Sequence, residues 1–135
     1  MKEEVTILVV DDEEMMRGLL SKILEKDGYS ILSASSGAEA LKIIDEGKVD
    51  LVITDVKMPE MNGFDLLKHI KEKTPQIGVI VMTAFGDAYT VRDALLLGAD
   101  EYITKPFKSF EITMVVERAY WRIISSRSRE GSTVK

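Results

Sequence analysis

Residues 6–26 read TILVVDDEEMMRGLLSKILEK. Ile7, Leu8, Val9 and Val10 are apolar on consecutive positions, the pattern of a short strand covered on both faces. Four acids follow, Asp11 to Glu14. Then Met16, Leu19, Leu20, Ile23 and Leu24 recur at i, i+3, i+4, i+7 and i+8, while Glu13, Arg17, Lys22 and Lys26 fall mainly elsewhere on the wheel. That spacing predicts a helix over 13–26 with one core face and one face in water. A buried strand feeding an amphipathic helix is one β-α unit.

Working outward, the same alternation recurs. Strand-like runs stand at 30–34, 51–54, 79–82 and 101–103, and helix-like segments at 37–46, 63–73, 87–97 and 109–126. Gly28, Gly47 and Gly98 each stand just past a helical segment, as helix stop signals do. Five such units and no hairpin-rich section predict an α/β fold, a doubly wound parallel sheet with right-handed crossovers.

The chain has 135 residues, enough for one core and too few for two. With 45% apolar and 30% charged residues it has a globular composition, and no cysteine is present. Disulfide scaffolds, thiolate metal sites and cysteine catalysis are therefore excluded. His69 is the single histidine, which excludes a multi-histidine metal site, and its neighbours Lys68, Lys71 and Glu72 place it on an inert, solvated helix face. Apolar runs stop after about four residues, against the ~20 that a membrane helix needs, and residues 1–4 lack the segments of a signal peptide. The expectation is a cytoplasmic protein that does not insert in a membrane. Net charge is −5, which argues against direct nucleic acid binding. The charge is uneven: residues 118–135 carry +4 and the other 117 residues carry −9.

In an open α/β sheet, ligands sit beyond the carboxyl ends of the strands. The first strand ends in Asp11 and Asp12, with Glu13 next; the third ends in Asp55, the fourth in Thr83, the fifth in Thr104, Lys105 and Pro106. The second ends in residues 33–36 without a charge. Carboxylates gathered at one edge repel unless protonated or bridged by a cation. Hard oxygen donors at this density favour Mg²⁺. A carboxylate beside such an ion can become a nucleophile and form an acyl phosphate, with Thr83 and Lys105 contacting the phosphoryl oxygens.

Four motifs now stand in order: Val9-Val10-Asp11-Asp12-Glu13, Asp55-Val56-Lys57-Met58-Pro59 followed by Gly63, Met82-Thr83-Ala84, and Lys105-Pro106-Phe107. Together they resemble the receiver domain of bacterial two-component response regulators, over 4–124, with 125–135 left as a polar, basic tail that frays or begins a linker. The resemblance implies a flavodoxin-like sheet of order 2-1-3-4-5 flanked by five helices. It implies Asp55 as phosphoacceptor from a histidine kinase or histidine phosphotransfer protein. Asp12 and Asp55, the Lys57 carbonyl and Asp11 through a bound water would hold Mg²⁺. It further implies a cis bond between Lys105 and Pro106, and a switch in which Thr83 moves toward the phosphoryl group and Tyr102 rotates inward. The fourth helix, fifth strand and fifth helix would then repack, with a homodimer through that surface and an output domain outside this chain, transcription foremost. Such a domain is no enzyme beyond its own phosphorylation and dephosphorylation. Lys57 and Phe85 border the path of attacking water, and the ring of Phe85 predicts slow dephosphorylation.

Other readings are weighed on the same residues. A pseudo-receiver that only binds partners would lack the acceptor or the lysine, and both are present. A haloacid-dehalogenase-type phosphatase needs Asp-x-Asp after its first strand, where this chain has four acids in a row. Those acids would also repel a flavin phosphate. In the last helix, Phe110, Met114, Val115, Ala119 and Ile123 are expected inward, with Tyr120 and Trp121 near the outer face. Continued helical spacing there reads equally as an overlong helix, or as a connector or dimer contact.

Overall fold

A computed structural model describes residues 2–84 and 88–133, the side chains of 88–90 and 128–133 excepted. Five strands, β1 (Thr6–Val10), β2 (Ser30–Ala34), β3 (Leu51–Asp55), β4 (Gly78–Ala84) and β5 (Glu101–Lys105), form one parallel sheet of order β2-β1-β3-β4-β5. The connections are α1 (Glu14–Lys26), α2 (Gly37–Asp45), α3 (Gly63–Lys73) and α4 (Ala88–Leu96), with α5 (Ser109–Thr133) last. A 3-10 turn, Lys2–Glu4, precedes β1.

Alternation along the central strands divides the core into two layers. Ile7, Val9, Ile53 and Met82 face α1 and α5, packing against Leu20, Leu24, Ile112 and Val116. Leu8, Val10, Val52, Val79 and Val81 face α2, α3 and α4, against Ala40, Leu66, Leu67, Ile70 and Ala94. All five residues of β3 are buried, as a strand paired on both edges and covered on both faces requires. At the sheet edges the rule lapses: β2 exposes Leu32 and Ser33, and β5 exposes Tyr102.

The strands run further toward the site than their apolar runs. β3 includes Asp55, β4 includes Thr83 and Ala84, and β5 includes Lys105, so the ladder itself positions those residues. The glycines 28, 47 and 98 that end helices have positive φ, 104°, 83° and 97°.

Three expectations for the last helix are corrected. The segment from residue 125, expected to fray, continues α5 to Thr133, and Arg127 pairs with Asp50 just before β3. Phe110 and Met114 lie outward, both more than half exposed. Tyr120 lies inward, its ring 5.8 Å from that of Tyr29 in an edge contact, with Lys2 Nζ 5.4 Å from the Tyr29 ring. The inward stripe is Ile112, Val115, Val116, Ala119 and Tyr120, and the tyrosine ring fills the space at the foot of α1. Trp121 is exposed, as expected. On α1, Leu19 is 47% exposed and not a core residue.

Candidate functional site

The site forms where β1, β3 and β5 end. Asp11 is the first residue after β1 and is fastened at three points. Its N–H donates to Ala34 O (3.2 Å), its Oδ1 accepts from Glu13 N–H (2.9 Å), and its main-chain carbonyl accepts from Arg17 Nη1 (2.7 Å). Asp11 Oδ2 is buried and has no hydrogen-bond partner. Asp55 is held inside β3, and Asp12 is exposed at the rim. One carboxylate oxygen from each of Asp11, Asp12 and Asp55 lies within 4.8 Å of the others. Lys105 Nζ stands 3.2 Å from Asp55 Oδ2 and 3.7 Å from Asp11 Oδ2.

This arrangement is electrostatically tense. Burial pushes the Asp11 carboxyl above its ordinary range, and the charges of Asp55 and Asp12 push it the same way. The Glu13 N–H and Lys105 offset only part of that. All three side chains offer hard oxygen donors, and one buried oxygen makes no hydrogen bond; both features suit a divalent cation such as Mg²⁺.

The acids open into a cavity of about 700 Å³ whose lining also includes Lys57, Lys105, Met16, Leu19, Met82 and Phe107. Lys57 is exposed at its mouth. The bond between Lys105 and Pro106 is cis.

Thr83 lies on β4 one residue beyond Met82, the register partner of Asp55. Its neighbours Met82 and Ala84 line the cavity, while Thr83 shares parity with Val79 and Val81 and so belongs to the face covered by α2, α3 and α4. Its hydroxyl is buried and unpaired. Tyr102 pairs in register with Val81 and stands on that same face, 40% exposed. The structure thus gathers Asp11, Asp12, Asp55 and Lys105, with Thr83 at the neighbouring strand end and Tyr102 on the same sheet face as Thr83. Phe85, expected to shield the site, lies outside the described residues.

Backbone packing beneath Asp55 is equally demanding. A Cβ on Gly63 would stand 2.3 Å from Asp55 O, too close for any real contact. Gly63 N–H donates to Val56 O (2.9 Å), and a capping box between Asn62 and Asp65 pins the turn before α3.

With the geometry in place, comparison with known proteins is decisive: the model of the response regulator receiver domain matches residues 7–117. The chain belongs to the response regulator receiver domain family. This receiver domain is 38% identical over 112 residues to Sporulation initiation phosphotransferase F of Bacillus subtilis, covering 83% of this chain and 90% of the relative. It is 38% identical over 130 residues to the transcriptional regulatory protein CpxR of Klebsiella pneumoniae, covering 93% of this chain but 55% of CpxR. The chain therefore spans about half the length of that relative. Among solved structures, a receiver domain protein from Clostridium thermocellum superposes with a TM-score of 0.82 at 39% identity, over 87% of this chain and 95% of that one. NtrX from Brucella abortus in complex with ATP gives 0.88 at 32% identity, over 94% of this chain and 29% of NtrX. Both neighbours share this receiver domain's flavodoxin-like architecture. Among the described residues no helix is long and apolar enough to cross a membrane.

Two contributors escape a reading of the sequence. Arg17 falls on the polar side of the α1 wheel and reads as solvated, yet its guanidinium reaches back to the Asp11 carbonyl. Its place one turn inside α1, six residues after Asp11, was the available signal. The close approach of Gly63 to Asp55 has no sequence signal beyond the glycine itself.

Proposed function

We propose that this receiver domain is a phosphorylation-controlled switch spanning residues 4–124, with Asp55 as the phosphoacceptor. The observation that carries the reading is the Asp55 carboxylate, held inside β3 with Lys105 Nζ at 3.2 Å and the Asp11 and Asp12 carboxylates alongside. Asp11, Asp12 and Asp55, with the Lys57 carbonyl, would hold Mg²⁺, which when bound neutralises charge on the incoming phosphoryl oxygens. Asp55 supplies the attacking oxygen. An O–P bond forms as the N–P bond of a histidine kinase's or phosphotransfer protein's phosphohistidine breaks, and the imidazole leaves with the electron pair. Lys105 orients the Asp55 carboxylate and pairs with the charge that remains on the product.

Thr83 and Tyr102 carry the response. They share the face that α4 covers, so movement of the Thr83 hydroxyl toward Asp55 would open space into which Tyr102 turns. The surface of α4, β5 and α5 then changes its packing, a two-state equilibrium biased by phosphoryl contacts. That surface is the place for a homodimer. The output, transcription by likeness to CpxR, lies outside residues 4–124, and the cytoplasm is where the kinase is met. Lys57 at the cavity mouth, with Phe85, slows hydrolysis of the acyl phosphate.

Incubation with acetyl phosphate and Mg²⁺, followed by intact mass, tests the reading. The wild type should gain one phosphoryl group and Asp55→Ala none. Absence of an adduct on the wild type would leave a domain that only binds partners.

A further inference from the structure

Asp11 and Asp12 sit in a turn between β1 and α1, and a turn of acids should splay apart. What holds this one is a set of main-chain bonds. The Asp11 N–H is tied to β2 through Ala34 O, and Oδ1 is tied to the start of α1 through Glu13 N–H. The third tie comes from a side chain: Arg17, whose own N–H makes the first helical bond to Glu13 O (3.1 Å), turns its guanidinium back to the Asp11 carbonyl at 2.7 Å. A charge-assisted bond of this length restrains the peptide plane between Asp11 and Asp12. It thereby sets the direction in which the Asp12 carboxylate leaves the chain, while Asp11 Oδ2 makes no hydrogen bond and faces Lys105 Nζ at 3.7 Å.

We propose that Arg17 is a positioning residue for cation binding, acting through the main chain of Asp11 to hold the Asp11 and Asp12 carboxylates convergent with Asp55. This rests on the cation-dependent reading of the site given above. Charge and position pull in opposite directions here. Removing a positive charge near three carboxylates by itself tightens the hold on a cation, whereas releasing the turn weakens it.

The test is calorimetric titration of the full, metal-free chain with MgCl₂, for wild type, Arg17→Met and Arg17→Lys, with far-UV circular dichroism to establish that each is folded. Arg17→Met should bind Mg²⁺ about tenfold more weakly, the scale on which residues that orient ligands act. Arg17→Lys, which keeps both charge and donor, should recover most of that loss. Unchanged or tighter binding by Arg17→Met overturns the proposal, as does Arg17→Lys binding no better than Arg17→Met. Failure of the wild type to bind Mg²⁺ would instead remove the underlying reading. A measurement on the wild type alone guards against a variant that does not fold. A guanidinium fixed on a carbonyl rotates slowly and gives resolved Nη resonances for Arg17; averaged resonances overturn the proposal.

Discussion

Asp11 carries the tension of the site in its charge, and Gly63 carries its tightest packing. Because burial holds the folded pKa of Asp11 above its unfolded value, this carboxylate takes stability away at neutral pH. The deficit is complete above the folded pKa and vanishes as pH falls to the unfolded value near about 3.9. Asp11→Asn should therefore raise the metal-free melting temperature at pH 7.5, and the advantage should shrink toward pH 4 in urea titrations. An advantage independent of pH would refute this origin. Gly63→Ala drives a methyl into the Asp55 carbonyl, and overpacking of this kind costs about 1–3 kcal/mol. Urea unfolding should show that loss, and the variant should also accept phosphate from acetyl phosphate more slowly, since the carbonyl that shifts is that of Asp55. The acids were legible in the sequence because each closes an apolar run, and the fold carries strand ends to one edge. Arg17 was less legible, since its place one turn inside α1 was the available signal and a long side chain on a polar helix face does not fix which way it reaches.

At the scale of the element, α5 is the least legible part of the chain. Its apolar residues surround more of the helix than a single stripe, so spacing alone left its phase open, and Tyr120 proved to be the inward ring. Beside its buried stripe it is fastened by charges. Glu101 on β5 is desolvated, which by itself raises its pKa, but the hydrogen bonds and charges of Arg118 and Arg122 outweigh this and hold it below the usual range. Such a group stabilises the fold above its unfolded pKa, and the contribution is lost as pH falls through the lower folded one. Both arginines are about half exposed. Glu101→Gln should accordingly cost no more than about 1 kcal/mol at pH 7, and less below pH 4. Asp50 offers a sharper contrast. Its Oδ2 accepts from Thr6 N–H at 2.8 Å while its Oδ1 meets Arg127. Asp50→Ala strands a main-chain donor and should cost about 1–3 kcal/mol, whereas Arg127→Ala removes an exposed partner and should cost less than about 1 kcal/mol. Equal costs would show that the ion pair, and not the bond to β1, is what Asp50 contributes.

For the whole molecule, alternation of strand and helix announced a doubly wound sheet, because buried parallel strands and their covering helices differ so plainly in period. Strand order is a property of how units stack and left no mark in any one unit; it came only from resemblance, and the ladder order agrees. The same assembly gathers three carboxylates at one edge, so a cation should stabilise the chain as a whole. At a hundredfold excess over its dissociation constant Mg²⁺ should add about 2.7 kcal/mol, read as a rise in melting temperature that Asp12→Ala largely abolishes. No rise in the wild type would show that Lys105 alone balances the acids. The position of the Thr83 hydroxyl carries a consequence for the switch. Asp55 shares parity with Ile53 and Thr83 with Val81, so the two side chains leave neighbouring strands on opposite faces of the sheet, and under the proposed function Thr83 would have to reach a phosphoryl group on Asp55 around the strand ends. That hydroxyl is buried and makes no hydrogen bond to the protein. A buried hydroxyl left in that state is available to a new acceptor, and under the proposed function the phosphoryl oxygens on Asp55 would be that acceptor.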